Sequence, residues 1–446
     1  MNDHSDGLPA PRRYVAIIAI LTSITMTVLD SAMLNVALPG IARDLGISPA
    51  RATWLLNAYQ LAVITTLLPL ASLGEILGFR RVFLTGSGVF ALAALGASQA
   101  PDFGTLLACR IAQGIGASAV MSLTAGLIRF TYPSRQLGRA IGINAMVVAC
   151  SGAAAPSLAA AILAVGPWRW LFLVDVPVAV IALLVGARAL PDPAGTRQPF
   201  DFQGAALNIL TFGLFFLGMD LLLAATGPAL LLMGGGIGAG VLLVQRQLTQ
   251  RTPLLPLDLL RIRVIAFSVA ASVCPSRLYA SYVALPFLLQ GAGRGQVETG
   301  LLMTPWPLAV AFAAPLAGRL SDRVPTALLC AAGMGMMAAG LALLVSLPAS
   351  GAAVLTGAVV ALCGAGFGGF QTPNNRTMLI SAPKARSGGA GGMQATARLL
   401  GTTLGTTTVA LCFQVAGTGG PRLALTAGIG FAVAAGLLSL SRRGVG

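Results

Sequence analysis

Asp30 and Arg110 are the residues whose surroundings demand chemistry, because each lies inside a long apolar run, Asp30 within 14–38 and Arg110 within 104–128. A charged side chain in hydrocarbon costs on the order of 3 kcal/mol and marks a site by default. Counted along a helix, Asp30 sits about 12 Å in from the C-terminal end of its run and Arg110 about 10 Å in from the N-terminal end of its own, two ends expected on the same, outer side. The two can therefore meet. A buried carboxyl beside a movable guanidinium can load and release a proton as the pair forms and breaks; the bland alternative is a static ion pair that fixes two helices. The only histidine, His4, lies in the polar N-terminal tail, so proton chemistry within the apolar runs falls to carboxylates.

Other residues are candidates of a different kind. Arg277 and Arg398 fall near the middle of apolar runs and need a carboxylate, carbonyls, water or an anionic group beside them. Asp220 lies nearer the end of its run, where snorkelling to water is sufficient. Asn35, Trp54, Tyr59, Gln60, Gln113, Phe287, Gln290 and Trp306 have the mixed aromatic and amide character of a cavity that takes amphipathic molecules, although each alone is ordinary packing. The six cysteines all fall within apolar runs, without a CxxC pair or a histidine nearby, so neither disulfides nor a metal site is expected. No Walker or GxSxG motif occurs, which disfavours an ATP-driven pump or a hydrolase; no cofactor is expected, and a proton gradient is the expected source of energy.

The elements that must position these residues are membrane helices. Of 446 residues, 56% are hydrophobic and 9% charged, whereas a soluble domain carries about 25% charged residues. Apolar stretches are read at 14–38, 53–73, 82–99, 104–128, 139–164, 169–188, 203–224, 228–244, 264–290, 297–317, 325–347, 352–375, 387–415 and 423–441, which predicts fourteen spans. With the N-terminus inside, cytoplasmic segments hold 20 Lys+Arg and outer segments five. That bias predicts both termini in the cytoplasm and explains the net charge of +15 without nucleic acid.

Two longer polar stretches, 189–202 and 245–263, divide the chain. The expected order is a tail 1–13, a six-helix bundle 14–188, a linker 189–202, two inserted helices 203–244, a linker 245–263, a second six-helix bundle 264–441 and a tail 442–446. A weak internal echo supports duplication: Ala71 to Glu75 after the second span and Gly318 to Asp322, followed by Arg323, after the tenth each set an acid four residues beyond a small residue. Two such halves related by an axis along the membrane normal enclose a cavity at mid-bilayer.

Several motifs carry a resemblance. LDSAMLNVALPGI (Leu29 to Ile41), TWLLNAYQL (Thr53 to Leu61), ASLGEILGFRR (Ala71 to Arg81), RIAQGIGAS (Arg110 to Ser118) and WRWLFLVDVP (Trp168 to Pro177) together make the chain resemble the major facilitator superfamily, and within it the fourteen-helix drug:H+ antiporter family. The resemblance covers nearly the whole chain. It implies an all-α polytopic fold with two six-helix bundles and two inserted helices, a protonation role for Asp30, and gating by the turn of Glu75, Gly78, Arg80 and Arg81. Glu75 stands where the family usually has Asp, and Asp175 where it usually has Asn. The fifth-span motif, glycine-rich in the family, here keeps Pro156 but replaces glycines by Ala or Ser; small residues suffice for close helix packing.

The expected function is proton-coupled efflux of amphipathic compounds by alternating access, in the bacterial inner membrane, by a monomer whose partners are a small amphipathic substrate, protons and lipid. The alternatives are export of an endogenous metabolite or siderophore, or a lipid flippase of the same fold.

Overall fold

Lipid offers no partner to a backbone N–H or C=O, so apolar runs of this length are stable there only as helices. A computed structural model describes residues 7–133, 136–192, 200–222, 225–249, 257–276, 279–321, 323–348, 351–381 and 387–441. Their α-helices run α1 Ala10–Asp44, α2 Pro49–Leu77, α3 Phe79–Ser98, α4 Phe103–Thr131, α5 Leu137–Val165, α6 Arg169–Ala189, α7 Phe202–Leu221 and α8 Thr226–Thr249. They continue with α9 Arg263–Ser276, α10 Tyr279–Gly291, α11 Gln296–Met303, α12 Pro305–Leu320, α13 Thr326–Ser346, α14 Ala353–Ser381, α15 Ser387–Ala416 and α16 Gly420–Ser441.

Boundaries follow local chemistry. Ser48 caps α2 by accepting from the Arg51 N–H, Asp102 caps α4 by accepting from Thr105, and Asp201 caps α7 by accepting from Gly204. A single residue, Gly78, separates α2 from α3 at φ 101° and ψ 133°. Side chains rarely tolerate that conformation, so the sharp turn requires glycine.

Twelve stretches among the described residues are long and apolar enough to cross a membrane. The count falls short of the fourteen expected spans at two places. The expected span 264–290 contains residues 277 and 278, outside the described residues, and its two described parts, α9 and α10, of 14 and 13 residues, are each too short alone. The stretch Thr396–Ser441 forms one continuous candidate although it holds most of α15 and all of α16, joined by the 3-10 turn Gly417–Gly419.

Helices α1 to α6 pack on one another, with α3 against α4, α2 against α4, and α6 against α1 and α3. The later helices repeat the scheme: α13 against α14, α12 against α14, and α16 against α13 and α10. Reciprocal glycines mark corresponding crossings. A Cβ on Gly116 of α4 would stand 2.6 Å from the Gly86 carbonyl of α3, and one on Gly366 of α14 would stand 2.6 Å from the Gly333 carbonyl of α13. Backbones approach this closely only where side chains are absent. Helices α7 and α8 form their own hairpin, closed in the same way by Gly218 and Gly236, and α7 leans on α2 and α15.

The two sets of helices meet where α15 packs along α2, and again at the end of the bundle that carries Asp44. There α5 packs on α11 and α12, and α1 on α10 and α11. Gln290 donates to the Val36 carbonyl (3.1 Å) and accepts from Arg43 (3.2 Å), and Ser157 shares a 2.7 Å hydrogen bond with Thr304. Gly300 sits so close to α5 that a Cβ there would be 2.7 Å from the Pro156 carbonyl. At the opposite end, α6 terminates under two arginines. Arg12 donates to the Ala189 carbonyl (3.2 Å), and Arg80 donates to that of Ala187, so cations occupy the negative end of the helix dipole.

Candidate functional site

Asp30 of α1 and Arg110 of α4 meet inside the first set of helices, 3% and 0% exposed. The Arg110 Nη1 donates to both carboxylate oxygens of Asp30, at 2.9 and 2.7 Å, and to Gln113 Oε1 at 2.9 Å. Gln113 in turn donates to Asp30 Oδ1 at 3.3 Å, while Arg110 Nε donates to the Leu55 carbonyl of α2 at 3.2 Å. The guanidinium lies 4.4 Å from the Tyr59 ring and 5.7 Å from that of Phe172, two π faces that offset part of its lost hydration. Breaking a buried pair of this kind costs about 3–5 kcal/mol, because one charge is left without a partner. The depths counted along the sequence thus bring the expected pair together, with Tyr59 and Gln113 as its lining.

Asp175 completes the cluster. The sequence reading did not offer it as a site residue, and its side chain is 2% exposed on α6, within hydrogen-bonding reach of Asp30 and in the field of Arg110. Its Oδ2 has no hydrogen-bond partner. The signal was available, because Asp175 lies six residues into α6 and Arg110 seven into α4, at about 9 and 10 Å from ends that lie on the same side of the bundle.

The remaining candidates separate into groups. Glu75 and Arg81 lie on the surface beside the Gly78 turn, whereas Arg80 reaches α6. Arg323 is exposed, and Asp322 lies outside the described residues, as does Arg277. Pro156 lies at the contact between α5 and α11. Asp220 does not simply snorkel: the Trp54 indole donates to it at 2.6 Å. Asn35 donates to carbonyls of its own helix, and Gln60 is buried. Phe287 packs edge-on against Phe413, and Trp306 against Tyr282. Gln290 belongs to the contact between the two sets of helices, a role its sequence context did not reveal. Arg398 borders a narrow polar cleft with Ser272, Gln371, Asn375 and Gln394. A cleft between α2, α7 and α8 is walled chiefly by apolar residues such as Ile64, Phe212 and Val241, and neither Asp30 nor Arg110 lines it.

A helical scaffold with a repeated packing scheme around a buried acid–base cluster is the setting in which sequence comparison becomes decisive. Residues 20–406 match the family described as Major Facilitator Superfamily. The chain belongs to this superfamily. As a member, it is a multi-pass membrane transporter rather than an enzyme. Among similar superfamily proteins, an uncharacterized transporter of Escherichia coli K12, YebQ, is 47% identical over 98% of this chain and 96% of its own. The riboflavin transporter RibZ of Clostridioides difficile is 29% identical over 89% and 87%, and the puromycin resistance protein pur8 of Streptomyces alboniger is 33% identical over 89% and 81%. The structure of a bacterial homologue of the human lysosomal transporter Spinster, inward-facing and unoccupied, superposes with a TM-score of 0.69 over 97% of both chains at 15% identity, a likeness of fold alone.

Proposed function

We propose that this superfamily member is a proton-coupled exporter of amphipathic compounds, working by alternating access between two six-helix bundles, with Asp30 at its proton site. The buried Asp30–Arg110 pair carries the reading: a charge pair at this depth is costly to keep, and a site that must change its charge during a cycle gives a reason to keep it. Paired with Arg110, Asp30 is stabilised as a carboxylate; when helix movement weakens the pair, a proton is the remaining way to neutralise it. Proton entry from one side and release to the other then drives substrate outward, provided the two bundles open alternately. Similarity to a resistance protein favours a foreign amphipathic substrate. Similarity to a riboflavin transporter favours the second reading as far as substrate class goes, a metabolite in place of a foreign compound.

The layout that accompanies this reading has fourteen crossings, both termini cytoplasmic, and a monomer in the bacterial inner membrane. Its support is the 20-to-five arginine and lysine bias, the combined 29 residues from Arg263 to Gly291, and the presence of two helices within Thr396–Ser441. In it the Asp44 end faces outward and Glu75 and Gly78 face the cytoplasm. Purified protein in sealed vesicles, challenged with a fluorescent amphipathic cation under an imposed proton gradient, tests the function. Gradient-dependent accumulation against the dye's own gradient is expected, and its absence with every dye and with riboflavin overturns proton-coupled export.

A further inference from the structure

The Asp30 site holds one more acid than its arginine can balance. Asp30 and Asp175 are 3% and 2% exposed, and Arg110 is fully buried beside them. Among the described side chains, the elements packed on α6 bring no further charge to this depth: α3 carries arginines only at its Gly78 end. From α1 comes Asp30, from α4 Arg110 and the neutral Gln113, and from α2 the ring of Tyr59, which lies over the guanidinium. Two carboxylates and one guanidinium would leave an uncompensated negative charge in an enclosure with little water, and two carboxylates so close do not both ionise.

Hydrogen-bond capacity points the same way. An ionised carboxylate only accepts, so two carboxyl groups within hydrogen-bonding reach of each other need a proton between them. Asp30 receives Arg110 on both oxygens and Gln113 on one, the environment of an ionised group. Asp175 receives no such donor, and its Oδ2 lacks any partner.

We propose that Asp175 carries a proton that it donates to ionised Asp30, so that this acid pair, and not Asp30 alone, is the proton-binding site of the transporter. Protonation forms an O–H bond on Asp175 with a proton taken from water; release breaks it and returns the proton to water on the other side, once helix movement has opened the site to that water and drawn the two acids apart. The proposal deepens the reading of Asp30 as the proton site and rests on it for its functional meaning.

Infrared spectroscopy of the full chain in lipid nanodiscs at neutral pH tests it, reading the carbonyl stretch of a protonated carboxylic acid and its shift in deuterium oxide. The wild type is expected to show a band equivalent to one buried acid, and Asp175→Asn, which keeps the shape and the hydrogen bond to Asp30, is expected to lose it entirely. A wild type without the band, or a variant that retains it, overturns the proposal. Asp175→Glu serves where the Asn variant does not fold: its band must shift in frequency, and an unmoved band overturns the proposal equally. The readout needs no substrate. A wild type that shows the band but moves no dye refutes the export reading and leaves the acid pair standing.

Discussion

Trp54 of α2 donates its indole N–H to Asp220 of α7 over 2.6 Å, so the hairpin of α7 and α8 is fastened to the first set of helices by a charge-assisted hydrogen bond. Asn208 adds a second fastening, donating to the Thr65 carbonyl at 2.7 Å. Trp54→Phe should therefore cost about 1–3 kcal/mol of stability, seen as a lower thermal midpoint, while gradient-driven dye efflux persists. If Asp220→Asn abolished that efflux in stably folded protein, Asp220 would be a proton carrier and not a fastening.

Asp30→Asn keeps the size and polarity of the side chain but removes its charge. Uphill efflux driven by a proton gradient should vanish, whereas downhill exchange of dye across the same vesicles survives. Thermal stability should fall less than in Arg110→Ala, because Asp175 remains to pair with the arginine, whereas losing Arg110 strands two acids among apolar walls. Parallel efflux and melting curves on the two variants check both parts, and an Asp30→Asn protein that concentrates dye as well as the wild type refutes the assignment.

Gly300 is a point of close backbone approach between the halves, where a Cβ would stand 2.7 Å from both the Pro156 carbonyl and the Ala160 Cβ. Gly300→Val should force α11 off α5 and shift the conformational population away from the state in which Ser157 and Thr304 are hydrogen-bonded. Cysteines introduced at 157 and 304 should cross-link several-fold more slowly in the Gly300→Val background. Equal rates would show that the contact does not hold the halves together.

At the opposite end, Gly78→Ala should destabilise the protein by about 1–3 kcal/mol, since a backbone at φ 101° is strained for any side chain. Glu75→Gln leaves the backbone intact and should slow turnover with dye binding little changed, as a residue acting on the conformational equilibrium would. Binding and turnover lost in equal proportion, in correctly inserted protein, would assign Glu75 to the substrate instead.

The Asp30–Arg110 pair was legible because charges are rare in apolar runs and depth along a helix is countable at about 1.5 Å per residue. The face a helix turns toward its neighbour is not countable in the same way. That is why Asp175 went unnoticed as a site residue although its depth matched that of Arg110, and why Trp54 and Asp220 were read as a cavity wall and a snorkelling acid. The spans before 203 emerged close to their expected bounds, whereas the expected ninth runs through residues 277 and 278, which lie outside the described residues. Gln290 looked like a cavity amide because sequence gives no warning that α1 offers it the Val36 carbonyl.

The cluster of Asp30, Arg110, Gln113 and Asp175 is assembled from α1, α2, α4 and α6 alone, and α6 is pinned at one end by Arg12 and Arg80 and at the other by the Trp168 indole on Asp44. None of these bonds crosses the seam along which the two halves separate. A latch has to span the parts it holds together, so this cluster is no latch. On the proposed reading, a proton bound here would act by altering the curvature or tilt of one set of helices, and the other set would respond through the fit of their facing surfaces.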